Sequence, residues 1–393
     1  MRVLGMISGT SHDGIDTAVV EFTSSPDGTV LTGAVQHVGS SAYHADLRHR
    51  LLQALPPAGT TLAEVCELDT LIGQAFATAA RAAIEAVGPV DLICSHGQTV
   101  YHWVEGARAL GTLQLGQPAW IAEDTGVPVV ADLRARDIAA GGNGAPLVSF
   151  MDALLLAGTV GTAAALNLGG IANITVVSQD AVLAYDTGPA NALLDAAVLA
   201  RDVHPAGYDV DGSVAESGRV DAELLEQLLR EEYYALPAPK STGKELFHSD
   251  YLTAALAAYG SVVTTPDLLA TLTALTAATV ADQLRVHGVT RLLVSGGGAA
   301  NPTMLQMLQD RVPEVELVTT DTVGAPTDAK EAIAFALFGW CTAHGLPATV
   351  PSATGARGPR MLGSITPGSG PLHLPATPIQ EPRSLRLVGP EDS

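Results

Sequence analysis

The order of strands and helices that the sequence predicts occurs twice along the chain. In each half, three strand-like runs follow one another, and then helices alternate with two more buried strands. The first set has strands at about 3–8, 15–22, 30–42, 91–95 and 127–130, with helices at about 62–87 and 118–125. The second set has strands at about 163–168, 171–178, 181–186, 291–295 and 315–318, with helices starting near 189 and covering about 266–287, 302–310 and 329–344. Such a repeat predicts an α/β protein of two similar lobes with a duplicated fold.

The length of 393 residues fits two lobes, because single hydrophobic cores rarely grow beyond about 250–300 residues. We place the first lobe at 1–134 and the second at 135–345, with a helical insertion at about 201–260. The Pro- and Gly-rich segment at about 346–393 is expected to return to the first lobe, with one short strand at 361–365 and a mobile end of about fifteen residues. A ligand is expected in the cleft between the lobes.

Glycine-rich segments follow three of the predicted strands, at 9–16, 167–173 and 294–301. In the first, the glycines allow a tight turn with inward amides, and nearby hydroxyl groups can donate to anionic oxygens. Asp13 can orient a hydrated magnesium ion beside those oxygens. A glycine-rich β-turn with solvated side chains explains the first segment equally well when it is taken alone.

Two common nucleotide fingerprints are missing from the sequence. In the segment at 294–301, the third glycine of a dinucleotide motif would fall at position 301, where Asn301 stands. The nearest P-loop candidate, STGKE at 241–245, lacks the upstream glycine and the Ser or Thr after the lysine.

The charge and cysteine content exclude several classes of partner and site. A formal net charge of −21 and a sequence pI of about 4.7 disfavour binding to nucleic acid or anionic membranes. The three cysteines are far apart and odd in number, which argues against a disulfide framework or a structural zinc site and favours the reducing cytoplasm. The chain opens directly into a predicted strand, so we expect no secretory signal. Glycines interrupt the uncharged stretch between Asp152 and Asp180, which predicts a helix end and two buried strands rather than a membrane span.

Seven motifs, in order, resemble those of the anhydro-N-acetylmuramic acid kinase family. They are SGTSxDGxD at 8–16, SHGQT at 95–99, GAPL at 144–147, NLGGIAN at 167–173, DTGPxN at 186–191, KSTG at 240–243 and TDAKEA at 327–332. The resemblance covers roughly residues 1–368. The sequence departs from the residues expected in this family at His12, Ala190 and His248, and these departures bear on the details of substrate contacts rather than on the activity.

The resemblance implies the two-lobe actin, Hsp70 and hexokinase-like fold, which is ribonuclease H-like and has a central cleft. In that family, ATP phosphorylates O6 of 1,6-anhydro-N-acetylmuramic acid while water opens the anhydro bridge at the anomeric carbon. The product is N-acetylmuramic acid 6-phosphate, an intermediate of peptidoglycan recycling. The resemblance further implies Mg²⁺ and a homodimer. The residues that we predict to bind ATP are Gly9, Thr10, Ser11, His12, Asp13, Gly14, Ile15, Asp16, Gly169, Gly170, Asn173, Gly296, Gly297, Gly298 and Asn301.

Asp186 is our candidate for the base that activates water. Bridge opening needs such a base, as in an inverting glycosidase, and Asp186 follows the third strand of the second lobe. The alternative is a capping role at the helix that starts near Pro189, which is a common position for aspartate.

Further polar residues are candidates for substrate contacts. Glu331 is expected either to orient the water or a sugar hydroxyl, or only to match the dipole of its helix. Arg134 can hold the lactyl carboxylate by a bidentate pair, unless it forms a salt bridge to Asp132 or Asp137. The remaining candidates are His96 and Gln98 at the end of a buried strand, with a satisfied core histidine as the alternative for His96, and Asn143 in a loop that closes over the sugar or only connects the lobes.

Lysine is rare in this chain. Its three lysines, Lys240, Lys244 and Lys330, all lie near the motifs, and we hypothesise that at least one approaches a phosphate or sugar oxygen. Two other functions remain open from the sequence: an ordinary sugar kinase of the same fold, and a non-catalytic ATP-binding module.

Overall fold

The computed structural model describes residues 1–9, 11–106, 108–179, 181–243 and 246–389. The contacts between residues divide the chain into two compact units. Unit 1 comprises Met1–Ala157 together with Val323–Ser393, and unit 2 comprises Gly158–Thr322.

Unit 1 is built on an eight-stranded sheet. Its strands are β1 (Arg2–Ser8), β2 (Gly14–Ser24), β3 (Val30–Ala42), β4 (Leu92–Glu105), β5 (Arg108–Leu115), β6 (Val129–Ala131), β12 (Ser364–Thr366) and β13 (Ser384–Val388). The order across the sheet is β12-β6-β4-β1-β2-β3-β13, and β5 pairs with β4 outside this path. The first three strands are antiparallel, whereas β4 runs parallel to both β1 and β6.

Unit 2 is built on a five-stranded sheet. Its strands are β7 (Thr162–Leu168), β8 (Ile171–Val177), β9 (Val182–Pro189), β10 (Val289–Ser295) and β11 (Glu316–Thr319), in the order β11-β10-β7-β8-β9. The first three are antiparallel, and β10 runs parallel to β7 and β11. When β5 and the two edge strands β12 and β13 are set aside, the five remaining strands of unit 1 have the order β6-β4-β1-β2-β3, which matches β11-β10-β7-β8-β9 of unit 2 in chain order and in direction. The two sheets therefore confirm the predicted duplicated fold of the actin and sugar kinase type.

Helices complete both units. Those of unit 1 are α1 (Ala45–Ala54), α2 (Leu62–Val87), α3 (Pro118–Thr125), α4 (Leu133–Ala139), α5 (Ser149–Leu155), α13 (Lys330–Ala343) and α14 (Pro351–Thr354). Those of unit 2 are α6 (Asn191–Ala200), α7 (Ser213–Ser217), α8 (Ala222–Leu228), α9 (Glu232–Ala235), α10 (Ser249–Tyr259), α11 (Thr265–Val286) and α12 (Pro302–Arg311). No helix in the described part of the chain is both long and apolar enough to cross a membrane.

Local signals in the sequence account for the longest helices. The hydroxyl of Thr61 accepts a hydrogen bond from the amide of Glu64 at the start of α2, and Gly88, with φ of 88°, ends that helix. Thr264 caps α11 in the same way, and a proline occupies the first turn. The bounds predicted for these helices are therefore close to those observed.

Both faces of β1 are buried, which explains its nearly continuous apolar sequence. Leu4 and Met6 pack in the cluster that contains α2, while Val3 and Ile7 pack in the cluster that contains α13. Gly5 lies on the α13 side of the strand, where a Cβ atom would overlap the backbone of that helix.

The unit boundaries differ from the lobes drawn from the sequence. Residues 135–157 and 323–345 lie in unit 1, whereas the sequence placed them in the second lobe. The reason is that α13 is apolar on nearly all sides and packs against β1 and β2, a pairing that chain order does not reveal.

Two strands were missed in the sequence analysis. Strand β4 continues to Glu105 and forms a hairpin with β5, although its outer half is largely exposed. Strand β13 lies in the terminal segment that was expected to be mobile, where it pairs in parallel with β3 and buries Leu385. Neither strand forms without its distant or hairpin partner, which is why composition alone was misleading.

Candidate active site

The main chain of the turn between β1 and β2 is held by the buried side chain of Gln98. Gln98 Nε2 donates to the carbonyl oxygens of Gly9 at 3.0 Å and Thr99 at 3.3 Å. Ser8 Oγ lies 2.6 Å from the Gly14 carbonyl oxygen and 2.7 Å from Gln98 Oε1. The predicted sugar contact of Gln98 therefore needs correction, because its amide hydrogens already bind main-chain oxygens and support the turn.

The tip of this turn has a left-handed residue. His12 has φ of 54°, a conformation that His, Asn and Asp adopt more readily than most residues, and Arg48 Nε donates to its carbonyl oxygen at 2.9 Å. Ser11 Oγ donates to Asp13 Oδ1 at 2.6 Å. A Cβ atom at Gly9 would meet only Ser11 Oγ, at 3.7 Å, so the surface at Gly9 is open. Thr10, also predicted to bind ATP, lies outside the described residues.

Carboxylates are concentrated beside this turn. Burial raises the pKa of Asp16, a hydrogen bond from Ser40 lowers it, and the charges of Asp13 and Asp328 raise it further. Within the described residues, no group of three or more His, Cys, Asp or Glu side chains forms a metal site by itself. The arrangement suits a cation that keeps most of its own water ligands.

Arg134 and His96 form a buried pair in unit 1. His96 Nε2 accepts a hydrogen bond from Arg134 Nε at 2.8 Å, so the ring proton is on Nδ1, which lies 3.0 Å from the carbonyl oxygen of Gly97. Burial, and then the charge of Arg134, lower the pKa of His96 well below its usual value. The imidazole is therefore neutral and has a hydrogen-bond partner at each nitrogen, which agrees with the alternative that His96 is a core histidine.

The guanidinium of Arg134 is only partly used by the protein. Its Nη1 donates to the carbonyl oxygen of Gly144 at 2.6 Å. Nη2 has no hydrogen-bond partner in the described part of the chain, and no salt bridge to Asp132 or Asp137 is formed there. Asp137 instead accepts from the Gly144 amide and the Thr354 hydroxyl. The donor face of Arg134 is thus available to an anion.

Asn143 belongs to the loop between α4 and α5. Its side-chain Oδ1 accepts a hydrogen bond from the main-chain amide of Ala109 at 3.0 Å. Its main-chain amide donates to the Thr354 carbonyl oxygen at 2.8 Å. The side chain is exposed. The loop is therefore tied to the β4–β5 hairpin, which the sequence analysis did not identify.

Glu331 lies in the first turn of α13, next to a buried ion pair. Lys330 Nζ is 2.6 Å from Asp152 Oδ1, and both side chains are almost completely buried. The Glu331 side chain is accessible to solvent, yet the surrounding protein reduces its hydration and raises its pKa, an effect that Arg134 and Lys330 oppose and Asp16 reinforces. Glu331 is thus close enough to feel the charges of Arg134, which is predicted to bind the sugar, and of Asp16, which is predicted to bind ATP.

Asp186 lies near the end of β9 and accepts hydrogen bonds on both carboxylate oxygens. Oδ1 accepts from Asn173 Nδ2 at 2.8 Å, across the β8–β9 pair. Oδ2 accepts from Ser241 Oγ at 2.8 Å and from the Thr242 amide at 3.0 Å. The KSTG motif is thereby held against the end of the strand. Asn173, predicted to bind ATP, has its side chain directed to Asp186 instead.

The helix-capping alternative for Asp186 is wrong. Helix α6 is preceded by Ala190, and no side chain caps it. Its first amides donate instead to the carbonyl oxygens of Gly169 and Gly170, at 2.9–3.0 Å. The amides of these two glycines have no partner among the described residues, so this turn offers free donors.

A cavity of about 440 Å³ in unit 2 borders the third glycine-rich segment. Its lining residues are Asn191, Leu194, Asp195, Tyr208, Asp209, Val210, Asp211, Gly297, Ala300 and Asn301. Asn301 Oδ1 also accepts from the Met304 amide and so caps α12. Gly296 has φ of 83°, and a Cβ atom there would lie 2.9 Å from the Leu168 carbonyl carbon, so this position requires glycine.

The two described lysines contact the protein itself, and the hypothesis that at least one of the three lysines approaches a phosphate or sugar oxygen stays a prediction. Lys330 pairs with Asp152, and Lys240 Nζ donates to the carbonyl oxygens of Tyr233 and Tyr234 at 3.0 and 2.9 Å. Lys244 lies outside the described residues.

Comparisons with known proteins agree with the motifs. The family model described as anhydro-N-acetylmuramic acid kinase matches residues 1–368. A protein of that name from Streptomyces coelicolor is 55% identical, covering 99% of this chain and 100% of the relative. A second relative of that name, from Rhodococcus erythropolis, is 51% identical, and the match covers 98% of this chain and 99% of the relative. A third, from Synechococcus elongatus, is 42% identical, and the match covers 93% of this chain and 99% of the relative. The chain therefore belongs to the anhydro-N-acetylmuramic acid kinase family.

Proposed function

We propose that this chain uses ATP to phosphorylate 1,6-anhydro-N-acetylmuramic acid at O6 while water opens the anhydro bridge. The observation that carries the proposal is the family match over residues 1–368, with relatives that are covered over almost their whole length. In the reaction, the water oxygen bonds to C1, the bond between C1 and O6 breaks, and O6 accepts the γ-phosphoryl group. The products are ADP and N-acetylmuramic acid 6-phosphate.

Asp186 is the proposed base. As the water attacks C1, one of its protons passes to the Asp186 carboxylate. The donors Asn173, Ser241 and Thr242 fix the orientation of the carboxylate. An oriented acceptor of this kind is what a base needs before the reaction begins.

ATP is proposed to bind through main-chain amides and the cavity of unit 2. The cavity, at about 440 Å³, has the size of small-molecule sites and suits the nucleoside part. The free amides of Gly169 and Gly170 suit phosphate oxygens, as do the amides of the turn at Gly9. Asp13 is proposed to hold Mg²⁺ through water, since the crowding of Asp16 with other carboxylates favours a nearby cation. The ion, when bound, neutralises charge on the transferring phosphoryl group.

The sugar is proposed to bind in unit 1. The open donor face of Arg134 suits the lactyl carboxylate, and the neutral His96 keeps the guanidinium in place without cancelling its charge. The exposed Glu331 carboxyl is proposed to orient a sugar hydroxyl or the attacking water. Asn143 is proposed to contact the sugar from its loop.

The test is an isotope experiment with wild type, Asp186→Asn and Asp282→Asn, the last being an exposed carboxylate on α11. Each is incubated with ATP, Mg²⁺ and the anhydro sugar in ¹⁸O-labelled water, and early product is analysed by mass spectrometry. We expect one ¹⁸O at C1 in wild type and Asp282→Asn, and a rate loss of about 100-fold or more in Asp186→Asn. Phosphorylation without label would indicate an ordinary sugar kinase, and ATP turnover without any sugar would indicate an ATP-binding module.

We further propose a cytoplasmic homodimer. The three cysteines are free thiols in the structure, as expected in a reducing compartment. Sedimentation velocity at micromolar concentration is expected to give the mass of two chains, and a single-chain mass would contradict the proposal.

A further inference from the structure

The main chain of Asp186 is part of a closed ring of hydrogen bonds. Its amide donates to the Lys240 carbonyl oxygen at 3.0 Å, and the Tyr233 hydroxyl donates to the Asp186 carbonyl oxygen at 2.8 Å. Lys240 Nζ closes the ring by donating to the carbonyl oxygens of Tyr233 and Tyr234 at the end of α9. Asp186 is thus fixed to two points of the 233–240 segment, the nearer of which lies 47 positions further along the chain.

The closed ring of hydrogen bonds around Asp186 is anchored in the core of unit 2. Tyr233 is 5% exposed, and its ring packs edge-on against Phe247 with centroids 6.1 Å apart. Lys240 Nζ lies 4.7 Å from the centroid of the Tyr233 ring, within the range of a cation–π contact. No carboxylate pairs with Lys240 in the described part of the chain, and burial lowers its pKa. The ammonium is therefore held by carbonyl dipoles and an aromatic face.

The ring also controls the donors that contact the Asp186 carboxylate. Ser241 and Thr242 follow Lys240 directly, and both donate to Asp186 Oδ2. Fixing Lys240 at both its carbonyl oxygen and its ammonium thus fixes where the next two residues point their donors. Without these anchors, the 240–242 segment would be tied to β9 by fewer bonds and would sample other positions.

We infer that Tyr233 and Lys240 are positioning residues for the base, acting through the Asp186 main chain and the 241–242 donors. This inference rests on the proposed function, in which Asp186 accepts the proton from water. Neither side chain needs to touch the substrate for this role. Their effect is on the orientation and ionisation of the carboxylate that does.

The chain supplies a matched control next to Tyr233. The Tyr234 hydroxyl is also buried but has no hydrogen-bond partner in the described residues, and the Tyr234 ring stacks on Phe247. Tyr233→Phe and Tyr234→Phe therefore remove the same atom from the rings of two neighbouring residues. They differ in whether that atom contacts Asp186.

The experiment measures kcat, KM and the pH dependence of kcat/KM for the anhydro sugar in both variants and in Lys240→Met. We expect Tyr233→Phe and Lys240→Met to lower kcat by about 5- to 50-fold, since small misplacements of reacting groups have large effects on rate, while KM stays within about twofold. The acid limb of the pH profile should move to higher pH, because a carboxylate that loses donors is protonated more easily. Tyr234→Phe should match wild type in all three measurements.

Equal behaviour of the two tyrosine variants would overturn the inference, as would a loss of rate without movement of the acid limb. Thermal midpoints measured in parallel show whether any variant has simply lost its fold. Asp186→Asn tests the assignment of Asp186 as the base separately from the positioning role of Tyr233 and Lys240. If it keeps full activity, the assignment of the base fails; if it is inactive while Tyr233→Phe behaves as wild type, only the positioning role fails.

Discussion

The buried ion pair between α5 and α13 gives a stringent test of the packing of unit 1. Lys330 Nζ and Asp152 Oδ1 are 2.6 Å apart, and the side chains are 5% and 6% exposed. Asp152→Ala removes the carboxylate and leaves an ammonium group in a site with little access to water. Breaking a buried pair in this way typically costs about 3–5 kcal/mol.

The loss is large enough to measure by thermal unfolding. For domains of 150–250 residues, 1 kcal/mol corresponds to about 2–4 °C, so the midpoint of unit 1 should fall by about 6–20 °C. Glu67→Ala is the control, because Glu67 lies 2.6 Å from Arg50 but is 61% exposed. Exposed pairs contribute about 1 kcal/mol or less, so this variant should lose no more than about 4 °C.

The double variant Asp152→Ala/Lys330→Met distinguishes an uncompensated charge from a lost packing contact. It removes the ammonium as well, so we expect it to recover most of the lost stability. Circular dichroism during heating and during urea titration provides the midpoints. The reasoning is refuted if the double variant is as unstable as Asp152→Ala, or if Asp152→Ala costs less than about 1 kcal/mol.

Three further outcomes are expected. Gly5→Ala should destabilise unit 1 by about 3 kcal/mol in urea titrations, because its Cβ would overlap the Ala332 carbonyl oxygen, whereas Gly59→Ala has open space and should be nearly neutral. Asp16→Asn should raise the thermal midpoint at neutral pH, because a carboxyl with a raised pKa destabilises the fold while it is ionised. That gain should shrink as the pH falls through the raised pKa and the wild-type carboxyl becomes protonated, and a gain that is independent of pH would argue against it. Arg134→Gln should raise KM for the anhydro sugar by about 10- to 100-fold with little change in KM for ATP, and equal changes in both would contradict its proposed role.

Much of the fold could be predicted because its signals are local. The strands of the first hairpin series and the helix Leu62–Val87 follow from side-chain periodicity, capping residues and glycines that lie within a few positions of one another. The repeated order of elements then predicted the duplication, which the matching strand orders of the two sheets confirm. The missed strands β5 and β13 lack such signals, since their pairing partners supply most of their stability.

The candidate site could be predicted only in part. The motifs drew attention to Asp186 and the KSTG segment separately, but their contact spans 55 positions along the chain. Gln98 and Asn173 were singled out as polar residues near predicted strand ends, but Gln98 lies in the middle of β4, and the structure directs the two side-chain amides to the β1–β2 turn and to Asp186. A side-chain donor has several possible acceptors, and packing decides which of them comes within reach.

The sequence by itself determined the repeated order of the core strands and helices, the duplication and the family, since these depend on residue types at short and regular spacing. Only the tertiary structure decided which partner each polar group has: Lys330 binds Asp152, Arg134 binds His96, and Asp186 binds the 241–242 segment rather than capping α6. The physical reason is that a buried polar group must find a partner among whatever the folded chain brings within about 3 Å. That set of neighbours is a property of packing between distant segments and has no local signature.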